Sequence, residues 1–355
     1  MATDDALAAL REQVQVSAAA GTPLCIRGGG TKDFLGEQRR GQILAMGALA
    51  GVIDYEPSEL VITARAGTPL SELEAVLAAH GQYLAFEPPA FGGEATLGGA
   101  IAAGLAGPRR ASVGGSRDFV LGAQLMAASG EVLGFGGRVM KNVAGFDVSR
   151  LLCGSLGILG PIVELSIKVL PVPQLEQTLE FEMTQAAAIE SFNGWSRRPL
   201  PLSATSWFQG RARLRLSGVR PAVEAAAVQL GGTVLAPEEA GRWWQGLRHH
   251  ELAFLAERRA LWRLSVPATT APLPLEGETL LEWAGALRWL RSAEDPAPIR
   301  AAARAAGGSA ALWHGGGAAP MFDPLPPASL QIHQRLKAAF DPHGIFNPGR
   351  LVAGL

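Results

Sequence analysis

The chain has 355 residues and a formal net charge of −1, with 48% of its residues hydrophobic and 18% charged. This composition supports a sizeable core in two domains, or in one domain with a large insertion, and argues against overall disorder. Basic residues form no block, which argues against nucleic-acid binding. Two cysteines cannot build a disulfide framework, and their apolar, glycine-flanked surroundings predict buried free thiols at Cys25 and Cys153.

The N-terminal residues MATDDALAALREQVQ are acidic and amphipathic, so no secretory signal is predicted. Apolar stretches such as ATLGGAIAAGLAG are too short and too rich in glycine to span a bilayer, which needs about 20 residues. We therefore expect a soluble cytoplasmic protein. A peripheral association with the inner face of the inner membrane, through a complex, would leave no signal of this kind.

In the first part of the chain, predicted strands alternate with predicted helices. LVITARAG is typical of a strand, and TPLSELEAVLAAHG predicts a helix with Thr68 as its N-cap, Pro69 at the first helical position and Gly81 at its end. FVLGAQLMAASGEVLGFG predicts two strands joined at Ser129-Gly130. PIVELSIKVL alternates apolar and polar residues, which is typical of a half-buried strand.

A change in composition marks a middle domain. All eight tryptophans lie between Trp195 and Trp313, whereas the lysines all lie outside that interval. Proline-rich VLPVPQ and DPLPPAS provide junctions, so we predict domains at residues 1–173, 174–328 and 329–355, the last returning to the first. In the middle domain, strands (ARLRLSG, LWRLSVP, SAALWHG) mix with helices (PAVEAAAVQLGG, PIRAAARAAGG), which predicts an α+β domain with an antiparallel sheet.

The segment PLCIRGGGTKDFLG places three glycines after an apolar run, where successive backbone N–H groups can surround phosphate oxygens. Arg27 and Lys32 would add positive charge, and Thr31 a hydroxyl donor. The spacing is not that of a Walker A loop, and Asp33 occupies the position of the third glycine in a Rossmann fingerprint. Taken alone, the segment also fits a tight turn after a strand.

Two further glycine-rich segments follow, EPPAFGGEATLGGAIAAGLAGPRRASVGGSRDFVLG and GRVMKNVAGFDVSRLLCGSLGILGPIVEL. In the first, residues 96–104 predict a helix of small residues whose N-terminus faces negative charge. The second ends in glycines at positions 154, 157 and 160. Two phosphate-sized cradles and an apolar, glycine-lined wall indicate a long dinucleotide bound in an extended pose.

These segments and the ending AFDPHGIFNPGR together resemble the PCMH-type FAD-binding fold of the vanillyl-alcohol-oxidase flavoproteins, and within that family the E subunits of glycolate oxidase (glycolate dehydrogenase). The resemblance covers Pro23 to Val172 and Gln331 to Leu351. It implies an α+β protein: a two-subdomain FAD-binding fold with an inserted α+β cap of antiparallel sheet and helices. The FAD is expected to be non-covalent, because the loop lacks the histidine through which some members tether the flavin.

The resemblance also implies which residues bind the cofactor. They are Arg27, Gly28, Gly29, Gly30, Thr31 and Lys32 in the pyrophosphate loop; Pro88, Pro89, Gly92, Gly93, Thr96, Leu97, Gly98 and Gly99 in a second cofactor segment; Gly104, Ser116 and Arg117 in later turns; Lys141, Asn142, Gly145 and Asp147 near the flavin; Ile162 and Val163 beside the adenine; and Asn347 in the C-terminal tail. Asp118 is expected to be structural.

No catalytic residue and no metal site are predicted. Related 2-hydroxy-acid dehydrogenases carry a cap motif H-G-D-G-N-x-H, whereas LWHGGGAAPMF offers His314 alone, and one histidine does not make a metal site. We expect His314 to lie at a strand end. His249 and His250 point to different faces in either a helix or a strand. Core packing is the expected role of the cap tryptophans, with a pocket or an interface as the alternatives.

The resemblance implies an FAD-binding subunit of a complex that oxidises glycolate to glyoxylate. Its partners would be a D-type flavin subunit and an iron–sulfur F-type subunit, because two cysteines cannot ligate a Cys₄ cluster. The missing metal motif favours the D-type flavin as hydride acceptor, with this chain relaying electrons or supporting assembly. The alternatives are a self-sufficient FAD-dependent oxidase or dehydrogenase of a small 2-hydroxy acid, and a scaffold that has lost the cofactor.

Overall fold

The computed structural model describes residues 2–137, 147–257, 259–315 and 319–355. The chain forms two compact units. The first unit comprises Met1–Leu105, Gly115–Pro171 and Pro324–Leu355, and the second comprises Ala106–Gly114 and Val172–Asp323. Both units combine helices with mainly antiparallel sheets, which confirms the predicted α+β class.

Within the described ranges the helices and strands are as follows. The helices are α1 (Ala2–Ala20), α2 (Leu70–Ala78), α3 (Leu97–Ala103), α4 (Arg110–Val113), α5 (Val148–Leu151), α6 (Gln185–Ser196), α7 (Arg220–Leu230), α8 (Pro237–His249), α9 (Ala253–Ala256), α10 (Pro296–Ala305) and α11 (Pro327–Phe340). The strands are β1 (Leu24–Arg27), β2 (Gln42–Ala45), β3 (Val52–Glu56), β4 (Val61–Arg65), β5 (Gln82–Tyr83), β6 (Val120–Met126), β7 (Val132–Gly136), β8 (Ile162–Lys168), β9 (Leu170–Pro171), β10 (Leu175–Glu182), β11 (Leu202–Phe208), β12 (Arg211–Gly218), β13 (Thr233–Val234), β14 (Leu261–Ser265), β15 (Glu278–Glu282), β16 (Leu287–Arg291) and β17 (Ser309–His314). None of these helices has the length and apolar character needed to cross a bilayer.

The first unit contains an antiparallel sheet with the strand order β3-β4-β8-β6-β7, in which β6 and β7 form the predicted hairpin. The central strand β8 is buried on both faces apart from Lys168, so the expectation of a half-buried strand was wrong. Its polar residues are satisfied inside the sheet. Ser166 hydrogen-bonds Thr63 at 2.8 Å, and Glu164 accepts from Arg65 at 3.3 Å. Alternating polarity in β8 therefore reflects buried pairs rather than contact with solvent.

The helix predicted in TPLSELEAVLAAHG is present as α2, over Leu70–Ala78, but its N-cap is not the expected residue. Pro69 occupies the N-cap position of α2. The Thr68 hydroxyl instead donates to the carbonyl of Arg65 at 2.7 Å and accepts from the N–H of Gly51 at 2.9 Å. Thr68 thus ties β4 to a neighbouring turn, a long-range role that local sequence does not reveal.

A parallel pair, β1-β2, packs beneath α1 through buried residues that include Leu10, Val14 and Leu44. The C-terminal segment extends this pair. The N–H of Leu24 donates to the carbonyl of Ile345 at 2.7 Å, and the N–H of Asn347 donates to the carbonyl of Leu24 at 2.9 Å. The last residues of the chain therefore fix the strand from which the glycine-rich loop emerges.

The second unit is built on an eight-stranded sheet with the order β13-β10-β12-β11-β15-β16-β14-β17, whose described strand pairs are antiparallel. One face is covered by helices: Val223 of α7 packs against Leu214, and Ile299 of α10 packs against Trp262 and Leu264. The strands and helices predicted for this region are confirmed. The β-strand alternation places Arg215, Arg263 and Trp289 on the opposite face.

The tryptophans of the second unit lie mostly in its interior. Trp244, Trp262, Trp283, Trp289 and Trp313 are buried, as the core-packing expectation predicts. Trp289 and Trp313 pack edge to face, with their ring centroids 5.1 Å apart. The large hydrophobic residues that this unit exposes, among those described, are valines, including Val219 and Val228.

Candidate cofactor site

A cleft in the first unit opens beside the loop that follows β1. Including its mouth it holds about 830 Å³ of empty space, which is within the size range of cofactor and ligand sites. Several predicted site residues line it together: Arg27, Gly28, Gly29, Gly30, Thr31, Lys32, Thr96, Gly98, Gly99, Ile162 and Asn347. Segments that are distant in sequence, and that were predicted to bind one cofactor, therefore meet at one cleft.

The loop offers a run of backbone donors. In the described part of the chain, no residue accepts a hydrogen bond from the N–H groups of residues 28–32. The loop is closed by hydrogen bonds further along, from the N–H of Asp33 to the carbonyl of Gly30 and from the N–H of Leu35 to the carbonyl of Lys32. Successive N–H groups at the edge of a cleft fit the oxygens of a diphosphate.

The glycines of this loop are required by two different constraints. A Cβ atom on Gly28 would overlap the hydroxyl of Thr96, and one on Gly29 would overlap the backbone carbonyl of Glu94. Gly30 has φ +76°, in the left-handed region that favours glycine. The first two glycines therefore let the loop pack directly against the second cofactor segment, and the third makes the turn.

The charged side chains of the cleft are mainly positive. Arg27, Lys32, Arg39 and Arg350 line it, against the single carboxylate of Asp33 among the described lining residues. Asp33 is paired with Arg27 at 2.8 Å and with Arg39 at 2.5 Å. This excess of positive charge is suited to a diphosphate.

Lys32 contributes to the cleft a positive charge that no described carboxylate pairs with. Its Nζ lies 3.4 Å from the hydroxyl of Thr31 and 5.5 Å from the ring centroid of Phe91. Burial lowers the pKa of Lys32 to about 8 from its ordinary value of 10.5. An anion in the cleft would favour the charged form of this lysine.

The second cofactor segment forms the predicted small-residue helix. Thr96 is the N-cap of α3, and its hydroxyl accepts from the N–H of Gly99 at 3.2 Å. The N–H groups of Leu97 and Gly98 donate to the carbonyls of Thr68 and Ala66. The N–H groups that we expected to face negative charge are therefore already bonded inside the protein. The donors that lack an acceptor among the described residues belong instead to the loop after β1.

Asn347 joins three parts of the cleft. Its Oδ1 accepts from the N–H of Ile26 at 2.7 Å, and its Nδ2 donates to the carbonyl of Leu156 at 2.6 Å. A Cβ on Gly157 would lie 2.7 Å from that same Nδ2. The predicted site residue Asn347 thus holds β1, the glycine-rich 154–160 segment and the C-terminal segment in one arrangement.

A buried ion pair anchors the C-terminal segment. The Nζ of Lys337 contacts Asp341 at 2.6 Å and donates to the carbonyls of Ile158 (2.8 Å) and Phe346 (2.6 Å). The carboxylate of Asp341 in turn accepts from the N–H groups of Ile345 and Phe346. Every charge in this network has partners, as a buried ion pair requires.

Other predicted site residues lie outside the cleft lining. Pro88, Pro89, Leu97, Ser116 and Val163 are buried, Gly92, Gly93, Arg117 and Asp147 are exposed, and Gly104 ends α3 against the backbone of Gly154. Lys141, Asn142 and Gly145 lie outside the described residues. Asp118 accepts from the N–H of Gly115 at 2.8 Å, which confirms its structural role.

Sequence reasoning missed several residues of the cleft. Arg39 and Arg350 add positive charge, and Met46, Ala66 and Leu156 add apolar surface. Arg350 lies in the C-terminal motif that carried the resemblance, and its guanidinium donates to the carbonyl of Asp33 at 2.9 Å. That motif was therefore a usable signal for Arg350, and the third glycine-rich segment was one for Leu156. None of the segments that carried the resemblance contained Arg39, Met46 or Ala66.

Within the described ranges, no group of three or more histidine, cysteine, aspartate or glutamate side chains is placed to hold a metal ion. His314 ends β17, as expected, with its Nε2 3.2 Å from the carbonyl of Leu255. Both cysteines are free: Cys25 is buried and lines the cleft, and Cys153 is partly buried. Burial raises the pKa of Cys153 to about 12, so its thiol is not reactive at neutral pH.

Comparisons with known proteins agree with this geometry. Residues 5–136 match the family model for an FAD binding domain, and residues 285–351 match the C-terminal domain of FAD linked oxidases. Glycolate oxidase subunit GlcE of Escherichia coli (strain K12) is 46% identical over 349 residues, which are 98% of this chain and 97% of that protein. Glycolate oxidase subunit GlcD of Bacillus subtilis (strain 168) is 32% identical over 47% of this chain and 34% of that protein.

A solved structure of alkyldihydroxyacetonephosphate synthase has the same fold, with a TM-score of 0.67 at 15% identity, covering 96% of this chain and 75% of that one. The fold and the glycine-lined cleft define an FAD-binding oxidoreductase of the PCMH type. The chain belongs to the family of glycolate oxidase E subunits among the FAD-linked oxidases. This result confirms the predicted family and FAD as the cofactor.

Proposed function

We propose that the chain is the FAD-binding subunit of a glycolate dehydrogenase (glycolate oxidase) complex and takes part in the oxidation of glycolate to glyoxylate. The observation that carries the proposal is similarity over the full length, 46% identical, to a protein named as a glycolate oxidase subunit. It is supported by a cleft in which five successive N–H groups have no acceptor among the described residues.

The chain's own residues would hold the cofactor. The N–H groups of residues 28–32, with Lys32 and Arg27, would bind the diphosphate, and Ile162 and Val163 would lie beside the adenine. Asn347 would keep the loop and the 154–160 segment in place, and the remaining predicted residues would complete the site. The FAD, held non-covalently, supplies a two-electron acceptor.

The domains and partners follow the same proposal. Residues 1–173 and 329–355 would hold FAD, and residues 174–328 would form a cap that meets substrate or a partner subunit. Electrons would pass through flavin to an iron–sulfur subunit, because two cysteines cannot ligate a Cys₄ cluster in this chain. We propose a D-type flavin subunit as the second partner and a cytoplasmic location, peripheral to the inner face of the inner membrane through the complex.

Anaerobic reduction of flavin by glycolate tests this function. The chain is purified alone and together with its co-purifying partners, the flavin is released and counted, and glycolate is added without oxygen. We expect one FAD per chain in both preparations. We expect glycolate to reduce the flavin of the assembled complex, and an artificial acceptor to be turned over by the complex but not by the isolated chain.

The second candidate is a self-sufficient dehydrogenase of a small 2-hydroxy acid, which the 30% identity to D-lactate dehydrogenase of Anaerostipes hadrus over 38% of this chain favours. Robust turnover of glycolate or lactate by the purified chain alone would establish this candidate and reject the subunit role. A preparation without flavin absorption would instead contradict both functions.

A further inference from the structure

Two arginines of the second unit lie over one tryptophan. The guanidinium carbon of Arg110 lies 4.7 Å from a ring centroid of Trp283, and that of Arg263 lies 5.3 Å from a ring centroid of the same residue. Arg263 also lies 6.0 Å from a ring centroid of Trp289, its partner across β14 and β16. Each arrangement has the dimensions of a cation–π contact.

Neither guanidinium has a hydrogen-bond acceptor or an ion-pair partner among the described residues. Other arginines of this sheet are different. Arg213, stacked 3.8 Å over Trp243, pairs with Glu180 at 2.7 Å. Arg291 donates to the carbonyls of Phe254 and Glu257. A guanidinium carries five donors. In the described part of the chain those of Arg110 and Arg263 have no protein acceptor, so both arginines have donors available for a ligand.

Trp283 is held in a fixed conformation. Its indole N–H donates to the carbonyl of Gly107 at 3.0 Å. Trp283 and Ala284 have φ values of +52° and +57°, and the N–H of Ala284 donates to the hydroxyl of Thr205 at 2.8 Å. Consecutive left-handed residues other than glycine cost about 1–3 kcal/mol each and persist where the surroundings impose them. The platform beneath the arginines is therefore preorganised.

The charges at this position are incompletely balanced. Burial and the charge of Arg110 lower the pKa of Arg263 to about 10, which leaves it charged at neutral pH. Glu282 acts in the opposite direction, and its Oε1 accepts from the indole N–H of Trp289 at 2.8 Å. Two cations that repel each other beside one acid would be stabilised by a bound anion.

We propose that Arg110 and Arg263, over Trp283, form a binding site for the carboxylate group of a small organic acid. The planar guanidinium fork matches a carboxylate with two parallel hydrogen bonds, whereas an ammonium does not. That its natural occupant is a 2-hydroxy acid rests on the proposed function, whereas carboxylate binding itself does not.

Calorimetric titration of the FAD-containing protein with oxalate tests the site. Oxalate has two carbons and no C–H bond to oxidise, so binding is measured without turnover. We expect Arg263→Met and Arg110→Met each to weaken oxalate binding at least tenfold. Arg263→Lys keeps the positive charge but loses the planar guanidinium with its two parallel donors. It should weaken oxalate binding, but less than Arg263→Met does. Arg198→Met is the matched control, because Arg198 is an exposed arginine of the same unit without a described partner for its side chain.

Each outcome decides the proposal. Oxalate affinity that is unchanged in both Arg→Met variants would overturn the site, as would binding of inorganic phosphate as tight as that of oxalate. Arg110 is exposed, so the Arg110→Met variant should fold normally. The test therefore remains valid even if the Arg263→Met variant fails to fold. If oxalate binding requires both arginines but the complex fails to oxidise glycolate, the site stands and the proposed function fails. If the complex oxidises glycolate and the variants bind oxalate normally, the proposed function stands and the carboxylate site fails.

Discussion

Gly29 illustrates how one residue serves folding and ligand binding together. A carboxylate at this position would stand where a phosphate approaches the loop. The structure adds a second cost, because any Cβ here overlaps the carbonyl of Glu94. The segments Arg27–Lys32 and Pro88–Gly99 are therefore in backbone contact before any cofactor binds.

We predict that Gly29→Asp abolishes FAD retention and that Gly29→Ala loses most of it. Gly29→Ala should also destabilise the FAD-free protein by about 1–3 kcal/mol, because the overlap forces the backbone to move. Gly47→Ala is the control, since a Cβ on Gly47 meets nothing within 4 Å. Flavin absorbance and thermal unfolding of the FAD-free proteins are the measurements. Normal flavin occupancy in Gly29→Asp would refute the assignment of the loop.

Lys32 gives the site a pH dependence. Its pKa of about 8 in the FAD-free protein means that it is charged at pH 7 and mostly neutral at pH 9. Binding a diphosphate favours the charged form, so above pH 8 the protein must take up a proton to bind FAD. We therefore expect the Kd for FAD to rise with pH above about 8, by up to tenfold per pH unit.

Lys32→Met should weaken FAD binding at pH 7 and remove most of this dependence between pH 7 and 9. Fluorescence titration of the FAD-free protein with FAD measures both effects. Lys168→Met, which removes a lysine at the end of β8 outside the cleft lining, should leave the profile as in the unmodified chain. If the Kd for FAD rises with pH as steeply in Lys32→Met as in the unmodified chain, the proton taken up on binding belongs to a group other than Lys32.

At the scale of elements, the C-terminal segment holds two walls of the cofactor cleft together through hydrogen bonds. Asn347 satisfies the N–H of Ile26 and the carbonyl of Leu156, both at the cleft wall. Asn347→Ala leaves these groups unpaired at a cost of about 1–3 kcal/mol each. We predict a lower melting temperature and at least tenfold weaker FAD binding, measured by calorimetry. Gln334→Ala, on the exposed side of α11, should change neither property.

The elements also show which parts of the site were predictable. A helix of small residues was expected at 96–104, and α3 forms there with Thr96 as its N-cap and Gly104 at its end, because capping and glycine geometry act within a few residues. Thr68 and the central strand β8 were misread, because their polar groups are satisfied by residues far away in the sequence. Arg39 and Met46 line the cleft because of how distant parts of the chain pack together, and the sequence around each residue does not indicate this packing.

At the scale of the whole molecule, the chain leaves the first unit at residue 106 and returns at residue 115. In between, Arg109 is buried, pairs with Glu176 and donates to the hydroxyl of Ser217 at 3.1 Å. Gly107 accepts from the indole of Trp283. The nine residues 106–114 are therefore part of the second unit, although the predicted boundary at 173 assigned them to the FAD-binding domain by position in the sequence.

We predict that Arg109→Ala in the full-length chain loosens the second unit selectively. Loss of hydrogen bonds to a charged group costs about 1.5–3 kcal/mol, so amides of β10 and β12 that exchange by opening of this unit should exchange roughly ten- to a hundredfold faster. Amides of β4 and β8 in the first unit should be unaffected. Hydrogen–deuterium exchange read by mass spectrometry measures both sheets in one experiment, with Arg198→Ala as the control. Equal acceleration in both sheets, or none in either, would show that residues 106–114 do not stabilise the second unit on its own.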